Sequence, residues 1–95
     1  MKREIMKMKL NDLQCEIRKI QESVDDYTKE YLHKLEKSIE AYKNKLDLNE
    51  MDTSDGATLG FRRAILEYDN LANIDSLYNA AVAVDKFYSQ ECREW

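Results

Sequence analysis

The feature that most constrains this chain is an apolar stripe running through Met6, Leu10, Leu13, Ile17, Ile20, Val24, Tyr27 and Tyr31. Its steps alternate between four and three residues, the 3.5-residue period of a coiled-coil seam. With Leu10 at heptad position a, the a positions are Leu10, Ile17, Val24 and Tyr31, and the d positions are Met6, Leu13, Ile20 and Tyr27. The next d position is Lys34, where the stripe loses phase. It resumes as Leu32, Leu35, Ile39, Tyr42 and Leu46, a four-residue shift that unwinds a supercoil locally without ending a helix. No Gly or Pro interrupts residues 1–48, and Asp25–Lys29 and Glu30–Lys34 have the i,i+4 spacing that supports a helix. The economical expectation is a single helix over 1–48, about 65–70 Å long.

Such a rod outreaches the rest of the chain. Two helices of ~18 residues, all that can follow Gly60, are each about 27 Å long. Part of the seam would therefore stay bare, and bare apolar stripes are rarely kept by monomers. This predicts a homodimer or higher oligomer joined through Met6, Leu10, Leu13, Ile17, Ile20, Val24, Tyr27 and Tyr31. The g positions Glu16, Ser23 and Glu30 and the e positions Gln14, Gln21 and Thr28 offer no g–e' ion pairs, so parallel and antiparallel pairing both stay open.

Both glycines, Gly56 and Gly60, fall in the segment 49–60, together with Asn49, Asp52, Thr53, Ser54 and Asp55. These residues end one helix and cap the next, so the segment reads as a helix–helix connector; it has neither a GxGxxG nor a GxxxxGK[ST] pattern. Beyond it, Phe61, Ile65, Tyr68 and Leu71 recur at helical spacing, as do Leu77, Ala81, Val84, Tyr88, Cys92 and Trp95. Between these two stripes Asn73 suits a left-handed helix end, and Asp75 or Ser76 suits an N-cap. Residues 61–95 are thus expected to form an αα-hairpin packed on Leu32–Leu46. The predicted fold is all-α: a long N-terminal coiled-coil-like helix over 1–48, a connector over 49–60 and a C-terminal hairpin over 61–95, self-associating.

Charge is divided unevenly. Residues 1–48 carry 11 Lys/Arg against 10 Asp/Glu, whereas 49–95 carry 4 against 9. The acidic second half opposes a phosphate-coated partner, and only Lys2, Arg3, Lys7 and Lys9 form a basic cluster, so nucleic acid is disfavoured. The cysteines, Cys15 and Cys92, match no paired metal-ligand spacing and are too few for a disulfide framework, which points to a reducing, cytoplasmic setting. No run approaches the ~20 apolar residues of a membrane span.

Residues suited to chemistry are sparse. His33 closes an E-x-x-H spacing with Glu30, the di-metal carboxylate arrangement, but the pattern occurs once and Glu67 and Asp69 lack a matching motif. Glu91 and Glu94 have E-x-x-E spacing without the E-x-x-D that small helical metal-dependent hydrolases place opposite it. One histidine without an orienting partner does not activate a Ser or Cys nucleophile. Cys15 falls at the outward f position, and Cys92 on an inward stripe. We therefore expect a non-enzymatic protein, without cofactor or metal, that binds itself and another protein as an inhibitor or adaptor does. Asp69, Asp75, Asp85, Glu91 and Trp95 are the expected contacts with that target. The rival expectation is an oligomer holding a nucleotide-like anion between Tyr27, Tyr31, His33 and Lys34.

Overall fold

A computed structural model describes residues 2–51, 56 and 58–93 of the chain. Among the described residues all regular structure is helical: α1 (Lys2–Ile20), a 3-10 turn (Gln21–Ser23), α2 (Asp26–Asp47), α3 (Phe61–Leu66), α4 (Asp69–Ala72) and α5 (Asp75–Glu91). The longest principal extent is 39 Å, far short of the rod predicted for residues 1–48. That rod is broken and folded on itself.

The break needs neither Gly nor Pro. Val24 is extended (φ −108°, ψ 162°) and Asp25 follows in the same region (φ −69°, ψ 166°). The Asp25 carboxylate accepts the Thr28 backbone N–H at 3.3 Å, and Ser23 Oγ donates to the Ile20 carbonyl at 3.0 Å. Asp25 is therefore the N-cap of α2, not an i,i+4 partner of Lys29, and Asp26 adds acidic charge at the positive end of the helix dipole. Each new helix end thus has a side-chain partner for one of its polar groups. Against that small cost stands burial of the stripe, at about 1.5–3 kcal/mol for each Leu, Ile or Met side chain.

α1 and α2 form an antiparallel hairpin, and α5 runs antiparallel to α1 on its other side. Met6, Leu10, Leu13 and Ile17, predicted to face a second chain, are at most 1% exposed and join one core with Leu32, Ile39, Leu77, Ala81 and Val84. The remaining members of that predicted interface divide: Ile20, Val24 and Tyr31 pack partly buried against the core, whereas Tyr27 is 70% exposed. The reason for the correction is length. Helix α5, with 17 residues, is about as long as the 19 residues of α1, so the chain covers its own seam once the rod folds.

α2 ends as its sequence implies. Leu48 closes the helix, Asn49 is left-handed (φ 57°), and the Asn49 and Glu50 N–H groups donate to the Leu46 and Lys45 carbonyls, a Schellman arrangement. Asp52, Thr53, Ser54 and Asp55 of the connector lie outside the described residues, as do Glu94 and Trp95. Residues 61–72 form two short helices, because Tyr68 turns extended (φ −116°, ψ 116°) and lays its ring on Tyr31. Asn73 stays right-handed and Ile74 occupies the N-cap of α5, so neither Asp75 nor Ser76 caps that helix.

Candidate functional site

Asp85 was expected on the surface but is 4% exposed. Its two carboxylate oxygens accept the backbone N–H groups of Phe61 (3.2 Å) and Arg62 (2.9 Å), which ties the start of α3 to the middle of α5. Burial raises its pKa above the ordinary 3.8, against the lowering effect of those amides. It is an internal clasp. Asp69, Asp75 and Glu91 are exposed and lie at the starts of α4 and α5 and at the end of α5.

Beside Asp85, α3 and α5 enclose a cleft of about 510 Å³ bordered by Arg62, Arg63 and Lys86. The Arg62 guanidinium is already engaged, donating to Tyr78 Oη at 2.9 Å. No sequence pattern announced this cleft, because its walls come from separate helices, Arg62, Arg63 and Leu66 on α3 and Val82, Asp85, Lys86 and Ser89 on α5.

Three of the four residues predicted to hold an anion do meet. Tyr27, Tyr31 and Lys34 line a small recess of about 90 Å³ with Glu30 and Tyr68. Ring centroids are 4.1 Å apart for Tyr31–Tyr68 and 6.1 Å for Tyr27–Tyr68. Tyr31 donates its hydroxyl to the Ala64 carbonyl at 2.7 Å, and burial raises its pKa. A hydrogen bond with Tyr27, followed by burial, pushes the Tyr68 phenol up to about 12. The recess holds about three waters' worth of space, too little for a nucleotide. His33 is exposed and does not line it. The cluster ties α2 to the α3–α4 corner, and Tyr68 is the member that sequence reasoning assigned only to a core stripe.

The flanks of α1 complete the picture. Towards α2, Gln14 is buried with both ends of its amide satisfied: Nε2 donates to Glu40 at 2.7 Å and Oε1 accepts from Lys43 at 3.1 Å. Lys7 pairs with Asp47 at 2.7 Å, and Gln21 donates to Glu36. Towards α5 the rim is different. On α1, Ile5 and Met8 are 39% and 64% exposed, and on α5, Ala80, Ala83 and Phe87 are half-buried. Two connected hollows of about 410 and 270 Å³ run between the helices, sharing Lys9 and Ala83. Ser76 hydrogen-bonds Glu16 across the gap, which with Lys19 lowers the Glu16 pKa, and Lys9 lies 5.6 Å from the Phe87 ring centre.

The basic start is thereby divided, with Lys7 drawn to α2 and Lys9 to α5. Cys15 is exposed, as its f position implied, and Cys92 is buried, its thiol pushed up to about 11 by desolvation. Among the described residues no three His, Cys, Asp or Glu side chains gather as metal ligands, and no helix is long and apolar enough to cross a membrane. No protein-family model, curated protein or solved structure matches the chain.

Proposed function

We propose that this chain is a small non-enzymatic protein–protein interaction module, regulatory or adaptor-like, that docks its partners on the α1–α5 face. The observation that carries the reading is the apolar surface on these two helices: Met8 of α1 is 64% exposed, and half-buried Ala80, Ala83 and Phe87 of α5 line the groove between α1 and α5. Grooves of this kind accept the apolar face of a helix, and flexible methionine suits such surfaces. Of the acidic contacts foreseen from sequence, Asp85 is buried, and the reading does not rest on the others. A photo-crosslinking residue at position 8, compared with one at exposed position 37 on α2, tests the reading in cells that express the chain. Discrete protein adducts from position 8 alone are expected; equal trace labelling from both positions overturns it.

The rival anion-binding reading moves from the tyrosine recess to the α3–α5 cleft, whose size and cations Arg62, Arg63 and Lys86 favour it. The Asp85 carboxylate at its edge ranks it second. A nucleotide at 100 times its Kd adds about 2.7 kcal/mol of apparent stability, so a flat melting panel removes it.

A further inference from the structure

We infer that α1 is exchangeable between two copies of this chain: the bend at Val24–Asp25 straightens, and the α1 of each copy takes the place of the other's against α2 and α5. The partner is a second copy because the apolar stripe is nearly symmetric about one residue. From Thr28, itself 2% exposed, the stripe runs back through Val24, Ile20, Ile17, Leu13 and Leu10, at distances of 4, 8, 11, 15 and 18 residues. Forward, it runs through Leu32, Leu35, Ile39, Tyr42 and Leu46, at 4, 7, 11, 14 and 18 residues. All ten side chains belong to the core or pack against it.

The polar pairs that join α1 to α2 share this centre. Lys7–Asp47, Gln14–Glu40 and Arg18–Glu36 have their sequence midpoint at position 27, and Gln14–Lys43 and Gln21–Glu36 have theirs at 28.5. The centre thus lies on α2, beyond the bend. Gln21 faces Glu36, and Asp26, ten residues earlier on α2, sits about 15 Å further along the axis. The chain therefore climbs past the end of α1 before it turns back, along the course a continuous helix would take. Two straight helices running antiparallel, with a twofold axis at Thr28, keep the same register, and each of these pairs forms twice between chains.

Local chemistry fits both forms. No Gly or Pro lies in 1–48, and Asp25 stands four residues before Lys29, the spacing of an ion pair on a straight helix. The bend itself is held by the Asp25–Thr28 cap and the Ser23–Ile20 hydrogen bond. Since α1 makes the same contacts in either form, concentration sets the balance. Exchange rebuilds the α1–α5 groove from two chains, so it leaves the docking reading untouched.

Refolded at ~1 to ~300 µM and read by light scattering on a sizing column, the chain is expected to give a dimer fraction that grows with concentration. Asp26→Pro separates the two forms. Proline suits the first residue of α2 after an extended Asp25, but it breaks a continuous helix there. It is expected to leave a monomer, helical by circular dichroism, and no dimer. Ser23→Ala with Asp25→Ala removes the contacts of the bend and strengthens association about tenfold or more, since two bends open per dimer. Lys7→Cys with Asp47→Cys, in a Cys15→Ser chain, reports the exchange directly. A bis-maleimide spanning that pair links positions within one chain in the monomer and joins two chains in the dimer. A wild-type chain that stays monomeric over the whole range, a dimer that survives Asp26→Pro, or a dimer whose linkers stay within single chains overturns the inference. Crosslinks from position 8 test the docking reading separately.

Discussion

The two flanks of α1 are finished in opposite ways. The flank against α2 is closed by a polar ladder, Lys7–Asp47, Gln14 with Glu40 and Lys43, and Gln21–Glu36, each group answered by another from the same chain. The flank against α5 carries Ile5, Met8 and Cys15, which are exposed, and Phe87, half-buried with Lys9 over its ring. α5 repeats the contrast: its side towards α3 is locked by Asp85, while the rim of its side towards α1 carries Ala80, Ala83 and the half-buried Phe87, with Ser76 reaching Glu16. A polar rim is finished when its hydrogen bonds are made. An apolar rim is finished only by further burial, which is why the proposed interaction face is placed on the second flank.

The largest expected effect separates the core beneath both flanks from the rim itself. Leu10→Ala should lower unfolding stability by about 2–5 kcal/mol in urea titration, because Leu10 is fully buried. Met8→Ala, two residues away, should stay within about 0.5 kcal/mol in the same titration. Comparable losses for both would mean that the second flank is already covered.

Breaking the lock on α5 comes next. Asp85→Ala leaves the Phe61 and Arg62 amides without their carboxylate and should cost about 1–3 kcal/mol. The acid profile gives the sign of its ionisation. With its pKa raised above 3.8, Asp85 binds its proton more tightly in the folded chain, so its contribution to stability is present at low pH and is lost as pH rises through the raised value. Glu16, Asp25 and Glu40 behave oppositely: their pKa values are lowered, and their contributions, present above the ordinary 4.5 and 3.8, are lost as pH falls through the lowered values. Asp85→Asn should therefore steepen the loss of stability with acid, read from urea midpoints between neutral pH and pH ~3.

Opening the polar ladder is a smaller step. Gln14→Ala should cost about 1–2 kcal/mol, since it removes a buried amide that holds Glu40 and Lys43. Amide hydrogen exchange should then speed up along the α1–α2 contact before it does along α1–α5. Smallest of all, Asp25→Ala should lower the melting temperature slightly by uncapping α2. An unchanged melting temperature there would show that the hairpin bend is held by packing alone.

Much of the helical content was legible in residue spacing. The resumed stripe Leu32, Leu35, Ile39, Tyr42 and Leu46 lies inward on α2, the stripe Leu77, Ala81, Val84, Tyr88 and Cys92 lies inward on α5, and Asn49 ends α2. The bend was legible in principle too. Ser23, Asp25 and Thr28 hold a helix stop and an N-cap, but the same Asp25 also fits an ion pair with Lys29 on a continuous helix. The candidate site was less legible. Tyr27, Tyr31 and Lys34 do come together, but Tyr68 completes their cluster from 37 residues further along, and the clasp made by Asp85 reaches back 24 residues.

The sequence by itself determined that the chain is helical, which side of each helix is apolar, and that no lone 65–70 Å rod could be shielded by the residues after it. Tertiary structure decided how that excess length is resolved. The rod bends at Val24–Asp25 and α5 covers the first half, so Met6 to Ile17 become core and the neighbouring stripe, Ile5 to Lys19, becomes surface. The physical reason is that periodicity encodes an apolar side without naming what lies against it. That choice rests on the match in length between α1 and α5, and distance along the chain does not reveal it.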